Sequence, residues 1–265
     1  MDTAPLRDKT IVIIGGTGGL GLSGARATLD AGARVVCVGL DDESAAAARA
    51  TLGERARVLV ADATAPGTAE RAIDLAVSEW GRLDGLYHVA GGSGRRAGDG
   101  PLHEVSDAGW DHTLRLNLTS AFLSNRAAVR QFLTQGGGGV VLNMASVLAR
   151  SPSPQFFSTF AYAAAKSAIV GMTRSAAACY APANVRFNVL APGLVETPMS
   201  RRAVGDERIM TFVKAKQPLD GGRIGQPADL DAAAVYLLSD GARFVTGQVL
   251  AIDGGWGVSE GQCPP

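Results

Sequence analysis

The sequence is poor in the features that mark several protein classes. Three of its 265 residues are cysteine. Cys37, Cys179 and Cys263 are scattered and odd in number, so neither a disulfide framework nor a CxxC metal site is supported, and no metal is expected. A reducing, cytoplasmic setting fits that usage. The net charge is zero, from 25 Lys plus Arg against 25 Asp plus Glu. The two signs are mixed along the chain, which leaves no electrostatic footprint for a nucleic-acid backbone or an anionic membrane. The aliphatic stretch 11–14 falls far short of the ~18 residues that a membrane span requires, and residues 1–9 lack a basic segment followed by an apolar one. A soluble protein without a secretion signal is expected. Glycine is abundant, at 34 residues, about twice the usual share, yet it lacks the triplet period of collagen. With 46% hydrophobic residues, a chain of this length buries roughly three quarters of its unfolded surface without disulfides or metals.

Short apolar runs alternate with longer helical stretches, the pattern of a parallel sheet wrapped by helices. Strands are predicted over 10–14, 34–38, 57–61, 85–90, 139–143, 185–190 and 248–252. Helices are predicted over 20–31, 42–52, 68–80, 107–135, 160–180 and 227–239. The strands are continuously Val/Ile/Leu-rich, as strands buried on both faces require. The expectation is an α/β fold with a doubly wound, seven-stranded parallel sheet and helices on both faces. Glycine and proline clusters sit singly between elements, so residues 1–265 read as one domain. Two stretches, 150–159 and 194–216, resist assignment. Ligands of such sheets bind beyond the carboxyl ends of the strands, which makes both stretches candidate substrate walls and 194–216 a candidate lid.

Gly15-Gly16-Thr17-Gly18-Gly19-Leu20-Gly21 follows the first strand and opens a helix. Three glycines at such offsets arise about once in every two chains of this composition, so the spacing alone is weak. The context is stronger. A missing side chain lets backbone approach a pyrophosphate, and the helix N-terminus offers free N–H groups. No Lys-[ST] follows, which disfavours a nucleoside-triphosphate loop and leaves a dinucleotide. Leu40 and Asp41 end the second strand without a nearby Lys or Arg, and Gly18 is not basic either. That favours NAD over NADP, although Asp41 also suits the N-cap of the next helix.

Tyr162 and Lys166 stand one turn apart on one helical face. A random Tyr-Lys match at this spacing is expected about 0.06 times in the chain. Bringing a phenol from ~10 to ~7 needs about 4 kcal/mol, of which one ammonium at ~5 Å and an effective dielectric of ~20 supplies about 3 kcal/mol. A tyrosine so tuned exchanges a proton with a carbinol oxygen while hydride moves. Ser146, at the end of the fifth strand, is placed to hydrogen-bond the same oxygen or to cap a turn. Asn117 sits inside the long helix 107–135, where asparagine is a poor helix former and implies a local bend or a buried water contact.

These residues resemble the short-chain dehydrogenases/reductases, in the single-domain branch of ketoacyl reductases and hydroxysteroid dehydrogenases. The likeness runs nearly end to end. It rests on Gly15-xxx-Gly19-x-Gly21, Asp62, Ala90-Gly91, Asn117, Ser146, Tyr162-xxx-Lys166, Pro192-Gly193 with Thr197, Val245-Thr246-Gly247-Gln248 and Asp253-Gly254-Gly255. The resemblance implies a Rossmann-type fold and NAD(P)-dependent interconversion of a secondary alcohol and a ketone. It implies Tyr162 as general acid/base and Ser146 as stabiliser of the substrate oxygen. Lys166 would serve as ribose ligand and pKa modifier, and Asn117 as anchor of a water chain. Asp62 and Ala63 would meet the adenine, Val195 and Thr197 the carboxamide or phosphates, and Thr17, Ala90, Gly91, Pro192 and Gly193 would complete the cofactor groove. A homotetramer or homodimer acting on a small molecule is the family habit. The chain departs from the family pattern at Ile14 and at His88-Val89-Ala90-Gly91. It also carries about three extra residues between Ser146 and Tyr162, with Phe156, Phe157 and Phe160 in the extension. His88 reads as a structural strand residue or a relay, and the three Phe as a subunit contact or a substrate wall. The segment 194–216 holds Arg201, Arg202, Arg208, Lys214 and Lys216 against Glu196, Asp206 and Glu207, which suits a solvated lid or an acidic or acyl-carrier-bound substrate. A catalytically silent dinucleotide-binding scaffold is the alternative on this fold, and a nucleotide-fold methyltransferase a third reading that leaves Tyr162 and Lys166 unexplained.

Overall fold

Thr10–Ile14 forms the interior strand β1, buried along its whole length. Its residues serve two faces in turn: Ile11 and Ile13 join one apolar cluster, Val12 and Ile14 another. At about 1.5–3 kcal/mol for each fully buried aliphatic side chain, burial on both faces is what fixes so short a strand in the interior of the sheet. The computed structural model describes residues 4–260, so Cys263 lies outside the described residues.

The other strands are Arg34–Gly39 (β2), Ala56–Val60 (β3), Gly85–His88 (β4), Gly139–Met144 (β5), Val185–Pro192 (β6) and Val249–Ile252 (β7). All pair in parallel, in the order β3-β2-β1-β4-β5-β6-β7. The order reverses between β1 and β4, the switch point at which such sheets open a crevice. Helices Gly19–Asp30 (α1), Asp42–Leu52 (α2) and Asp231–Leu238 (α10) cover one face, and Thr68–Trp80 (α3), Ser120–Gln135 (α5) and Phe160–Tyr180 (α7) the other. Between them lie Asp107–Leu114 (α4), the single turn Pro154–Phe157 (α6), Arg201–Val204 (α8) and Glu207–Lys216 (α9). Among the described residues, no helix is long and apolar enough to cross a membrane.

Several boundaries differ from those predicted. β4 stops at His88 because the N–H groups of Val89 and Ala90 both turn to Ile14 O, at 2.9 and 2.8 Å. β6 runs two residues further than predicted, since Ala191 and Pro192 pair with Ala251 and Ile252. The helix predicted over 107–135 is two helices joined by a π turn at Arg115–Thr119. The Asn117 side chain is the cause at hand: its Nδ2 donates to Thr113 O at 2.9 Å, the carbonyl that its own backbone N–H would otherwise use. The segment 227–239 begins as a 3-10 turn, Pro227–Leu230, before α10. The unassigned stretch 194–216 is largely helical, with α9 started by Asp206, whose carboxylate accepts from Arg208 N and Ile209 N.

Candidate active site

The glycine loop crosses the switch point in close contact with its neighbours. Gly15 has φ +86°, and a Cβ there would stand 2.7 Å from Ala90 N. A Cβ on Gly21 would overlap Gly15 O, so this glycine seats α1 against its own loop. Gly18 is different. It is the N-cap of α1 without a side-chain cap bond, and a Cβ on it would meet nothing within 4 Å. The open space therefore lies over the N-terminus of α1, where a positive helix end and free N–H groups suit a phosphate. Leu20 is in the first turn of α1, and Thr17 is buried beneath the loop, its Oγ1 3.1 Å from Ser44 Oγ.

Loops after the other strands leave the same carboxyl edge of the parallel sheet. Leu40 is exposed, and Asp41 is the N-cap of α2, accepting from Ser44 N and Ser44 Oγ at 2.8 Å each. Those bonds hold the Asp41 carboxyl below its usual value. Asp62 closes its own turn by accepting from Thr64 N and Oγ1, with Ala63 between. Beyond β6, a Cβ on Gly193 would press on Gln217 and Asp253, and Val195 bridges to Gly225. Thr197 reaches back across the sheet, its Cγ2 being 3.5 Å from where a Gly19 Cβ would stand.

Ser146, Tyr162 and Lys166 meet at the end of β5. Ser146 is nearly buried and starts a 3-10 turn, accepting from Leu148 N at 3.2 Å. The nearby Ser146 hydroxyl pulls the Tyr162 phenol down, but burial wins and leaves that group above its ordinary value. This corrects the electrostatic expectation from the sequence, which weighed the lysine charge and omitted desolvation. Lys166 is buried, donates to Met144 O at 2.9 Å and lies 5.6 Å from the centre of the Tyr162 ring. Burial lowers its pKa to about 8. Asn117 is brought to the same place: a Cβ on Gly91 would stand 2.6 Å from Asn117 Oδ1 and 3.2 Å from Lys166 Nζ. Its side chain is committed to backbone, accepting from Gly92 N and donating to Gly92 O and Thr113 O.

His88 is a fully buried strand residue held by two serines of α5. Its Nδ1 lies 2.8 Å from Ser124 Oγ and its Nε2 3.3 Å from Ser120 Oγ. Burial first, and the Lys166 charge second, lower its pKa to about 3, so the ring is neutral at physiological pH. Phe156 and Phe157 are half-buried and pack against rings of the same chain. Phe156 packs on Phe212 at 5.2 Å and Phe157 on Trp256 at 5.7 Å. Phe160 remains exposed.

Sequence reasoning missed Asp99. This buried carboxylate, in the loop after β4, accepts from Ala161 N and Tyr162 N at 3.0 Å each and so anchors the first turn of α7. No local signal in Gly98-Asp99-Gly100 announces a partner 62 residues away. Gln217 was also missed; it holds Leu194 N and O together after β6.

The open Gly18 and the uncapped N-terminus of α1 at the switch point fit the pyrophosphate of a dinucleotide. Residues 15–257 match the family described as enoyl-(acyl carrier protein) reductase. The chain is 38% identical over 257 residues to 2-(S)-hydroxypropyl-CoM dehydrogenase 3 of Xanthobacter autotrophicus, covering 94% of this chain and 97% of the relative. It is 35% identical to 3beta-hydroxysteroid dehydrogenase 2 of Eggerthella lenta, with 95% of each covered. A solved short-chain type dehydrogenase/reductase from Mycobacterium ulcerans superimposes with a TM-score of 0.87 at 31% identity, over 96% of this chain and 91% of that one. The chain belongs to the short-chain dehydrogenase/reductase family, the NAD(P)-dependent oxidoreductases that interconvert secondary alcohols and ketones.

Proposed function

We propose that Tyr162 is the general acid/base of this reaction, that Ser146 binds the substrate oxygen and that Lys166 provides the neighbouring positive charge. The observation that carries the reading is the convergence of one phenol, the Ser146 hydroxyl that acts on it and a buried ammonium at its ring. The bound nicotinamide supplies or accepts the hydride. In reduction, a phenol held protonated by burial gives its proton to the oxygen as negative charge develops there, and the Ser146 hydroxyl donates to that oxygen. In oxidation the phenol must first ionise, which the Lys166 ammonium favours. Asn117 keeps the Gly91-Gly92 backbone in place beside Lys166. Tyr162→Phe is expected to lower kcat by about 10²–10⁴-fold with NAD(P)H affinity retained; turnover close to wild type would refute the role of Tyr162. Reduction of an enoyl thioester with every ketone refused would point to a different hydride acceptor.

NAD is the favoured cofactor. The Asp41 carboxylate, ionised and free of any basic neighbour in its loop, suits a ribose hydroxyl and repels a phosphate ester. The glycine loop, Leu40, Asp62, Ala63, Ala90, Pro192, Val195 and Thr197 would complete the groove. Melting-temperature shifts with NADH and NADPH at equal concentration test the preference, since the tighter ligand raises the melting point more. Segment 194–216, folded over Phe156 and Phe157, is the lid. The family habit of tetramers or dimers and a cytoplasmic setting complete the reading.

A further inference from the structure

Two arginines from different loops converge on one carbonyl at the carboxyl edge of the sheet. Arg95, in the 3-10 turn Arg95–Ala97 after β4, donates from Nη2 to Phe156 O at 3.2 Å. Arg202, in α8 after β6, donates from Nη2 to the same oxygen, also at 3.2 Å. Phe156 belongs to α6, after β5. One neutral acceptor thus holds two cations side by side, and among the described residues neither guanidinium stands in an ion pair. The carboxylate that acts on Arg95 is Asp99, and its oxygens are already taken by the N–H groups of Ala161 and Tyr162. Burial and the Arg202 charge accordingly outweigh Asp99 and lower the pKa of Arg95. Each guanidinium carries about five N–H donors in a planar fork, and the carbonyl takes one from each.

Position gives the pair its meaning. The three loops leave the carboxyl ends of β4, β5 and β6, the edge on which Ser146 and Tyr162 stand. Asp99, four residues after Arg95, touches the backbone of Tyr162 itself. The residue whose carbonyl they share belongs to an aromatic cluster, the Phe156 ring packing on Phe212 and Phe212 on the buried Trp256. An aromatic cluster with two guanidinium forks outside any ion pair bound at its edge through Phe156 O matches a molecule with a hydrocarbon body and an oxyanion end.

We propose that Arg95 and Arg202 form an anion subsite, and that the substrate is an alcohol or ketone carrying a carboxylate, sulfonate or phosphate remote from its reacting carbon. For the reacting end, this rests on the alcohol–ketone reading above. Binding tests it without turnover. The NADH-loaded enzyme is titrated calorimetrically with hexanoate, hexane-1-sulfonate, hexyl phosphate and neutral 1-hexanol. At least one anion is expected to bind tenfold or more tighter than hexanol, and which one does so identifies the oxyanion. That preference is expected to fall at least tenfold in Arg202→Met, further in Arg95→Met/Arg202→Met, and to weaken as NaCl rises. Absence of any preference in the wild type overturns the subsite, as does a preference that survives both substitutions. A series of five- to eight-carbon methyl ketones, each with and without a terminal carboxylate, separates the two claims. Neutral ketones reduced as efficiently as their acid counterparts would overturn the subsite alone. Anion binding with no ketone reduced would leave the subsite standing and count against the hydride-transfer reading.

Discussion

Asp99→Ala removes the tie between the loop after β4 and the helix that carries Tyr162. The buried carboxylate accepts two backbone N–H groups at 3.0 Å each, from Ala161 and Tyr162. Neither Thr159, the N-cap of α7, nor any other cap side chain is bonded there, so Asp99 stands in for the missing cap from a distant loop. An N-cap acceptor contributes about 0.5–2 kcal/mol, and a hydrogen bond to a charged group about 1.5–3 kcal/mol. The loss is therefore expected to be about 2–4 kcal/mol, or a fall in Tm of roughly 5–15 °C for a chain of this size. Catalysis suffers separately, because a first turn that shifts by about 1 Å misplaces the phenol and costs about 100-fold in rate. Asp99→Asn keeps the shape but has one acceptor for two donors, so it falls between wild type and alanine. Urea and thermal melts read the stability, and kcat with the best ketone reads the placement. In the Tyr162→Phe background the rate effect of Asp99→Ala should vanish while the stability effect persists. An alanine variant within about 0.5 kcal/mol of wild type, or within about twofold in kcat, would refute the anchoring argument.

Three further outcomes follow from residues already described. Burial holds Lys166 at about 8 in the native protein, against about 10.4 unfolded. Between those values the unfolded chain retains a proton that the native side chain has released. Stability should therefore gain up to about 3 kcal/mol as pH rises through that window and gain nothing below it; a pH profile of Lys166→Met identical to that of wild type would refute this. Gly18→Ala should leave the melting temperature nearly unchanged while weakening NAD(P)H binding, whereas Gly21→Ala, whose Cβ would overlap Gly15 O, should fail to fold stably; equal melting temperatures for the two would contradict the packing described. Trp256 is buried with its Nε1 unpartnered, so Trp256→Phe should cost less than about 1 kcal/mol, because the lost area is offset by removal of an unsatisfied donor, whereas Trp256→Ala should cost about 3–5 kcal/mol in chemical denaturation. A phenylalanine variant as unstable as the alanine one would refute that reading.

What the sequence made legible is what local periodicity encodes. The seven strands, the glycine loop and helix Phe160–Tyr180 follow from runs and spacings within a few residues, and Tyr162 and Lys166 share a face because one helical turn separates them. Asp41 had two readings, and the structure shows the cap directly. The π turn at Asn117 was announced only as a bend, since the side-chain bond that widens the helix depends on Gly92 as well. Asp99, the partners of Phe156 and the convergence of Arg95 with Arg202 join distant segments, so no window of sequence contains them. The Tyr162 pKa went the other way because a Coulomb argument between two side chains leaves out the cost of enclosing a phenolate.

The reversal of strand order between β1 and β4 gives the two tasks separate wings of the sheet. In the proposed reading the nucleotide cradle hangs chiefly from the connections leaving β1, β2 and β3. The proposed alcohol-facing wall comes from those leaving β4, β5 and β6, which Phe156 O fastens together. The wings touch where Gly15 abuts Ala90 and where Gly19 approaches Thr197. Selectivity can thus diverge by exchanging residues 147–159 and 198–216 as a matched set. A chimaera grafted at those two seams would inherit the donor's taste in alcohols while keeping the recipient's coenzyme.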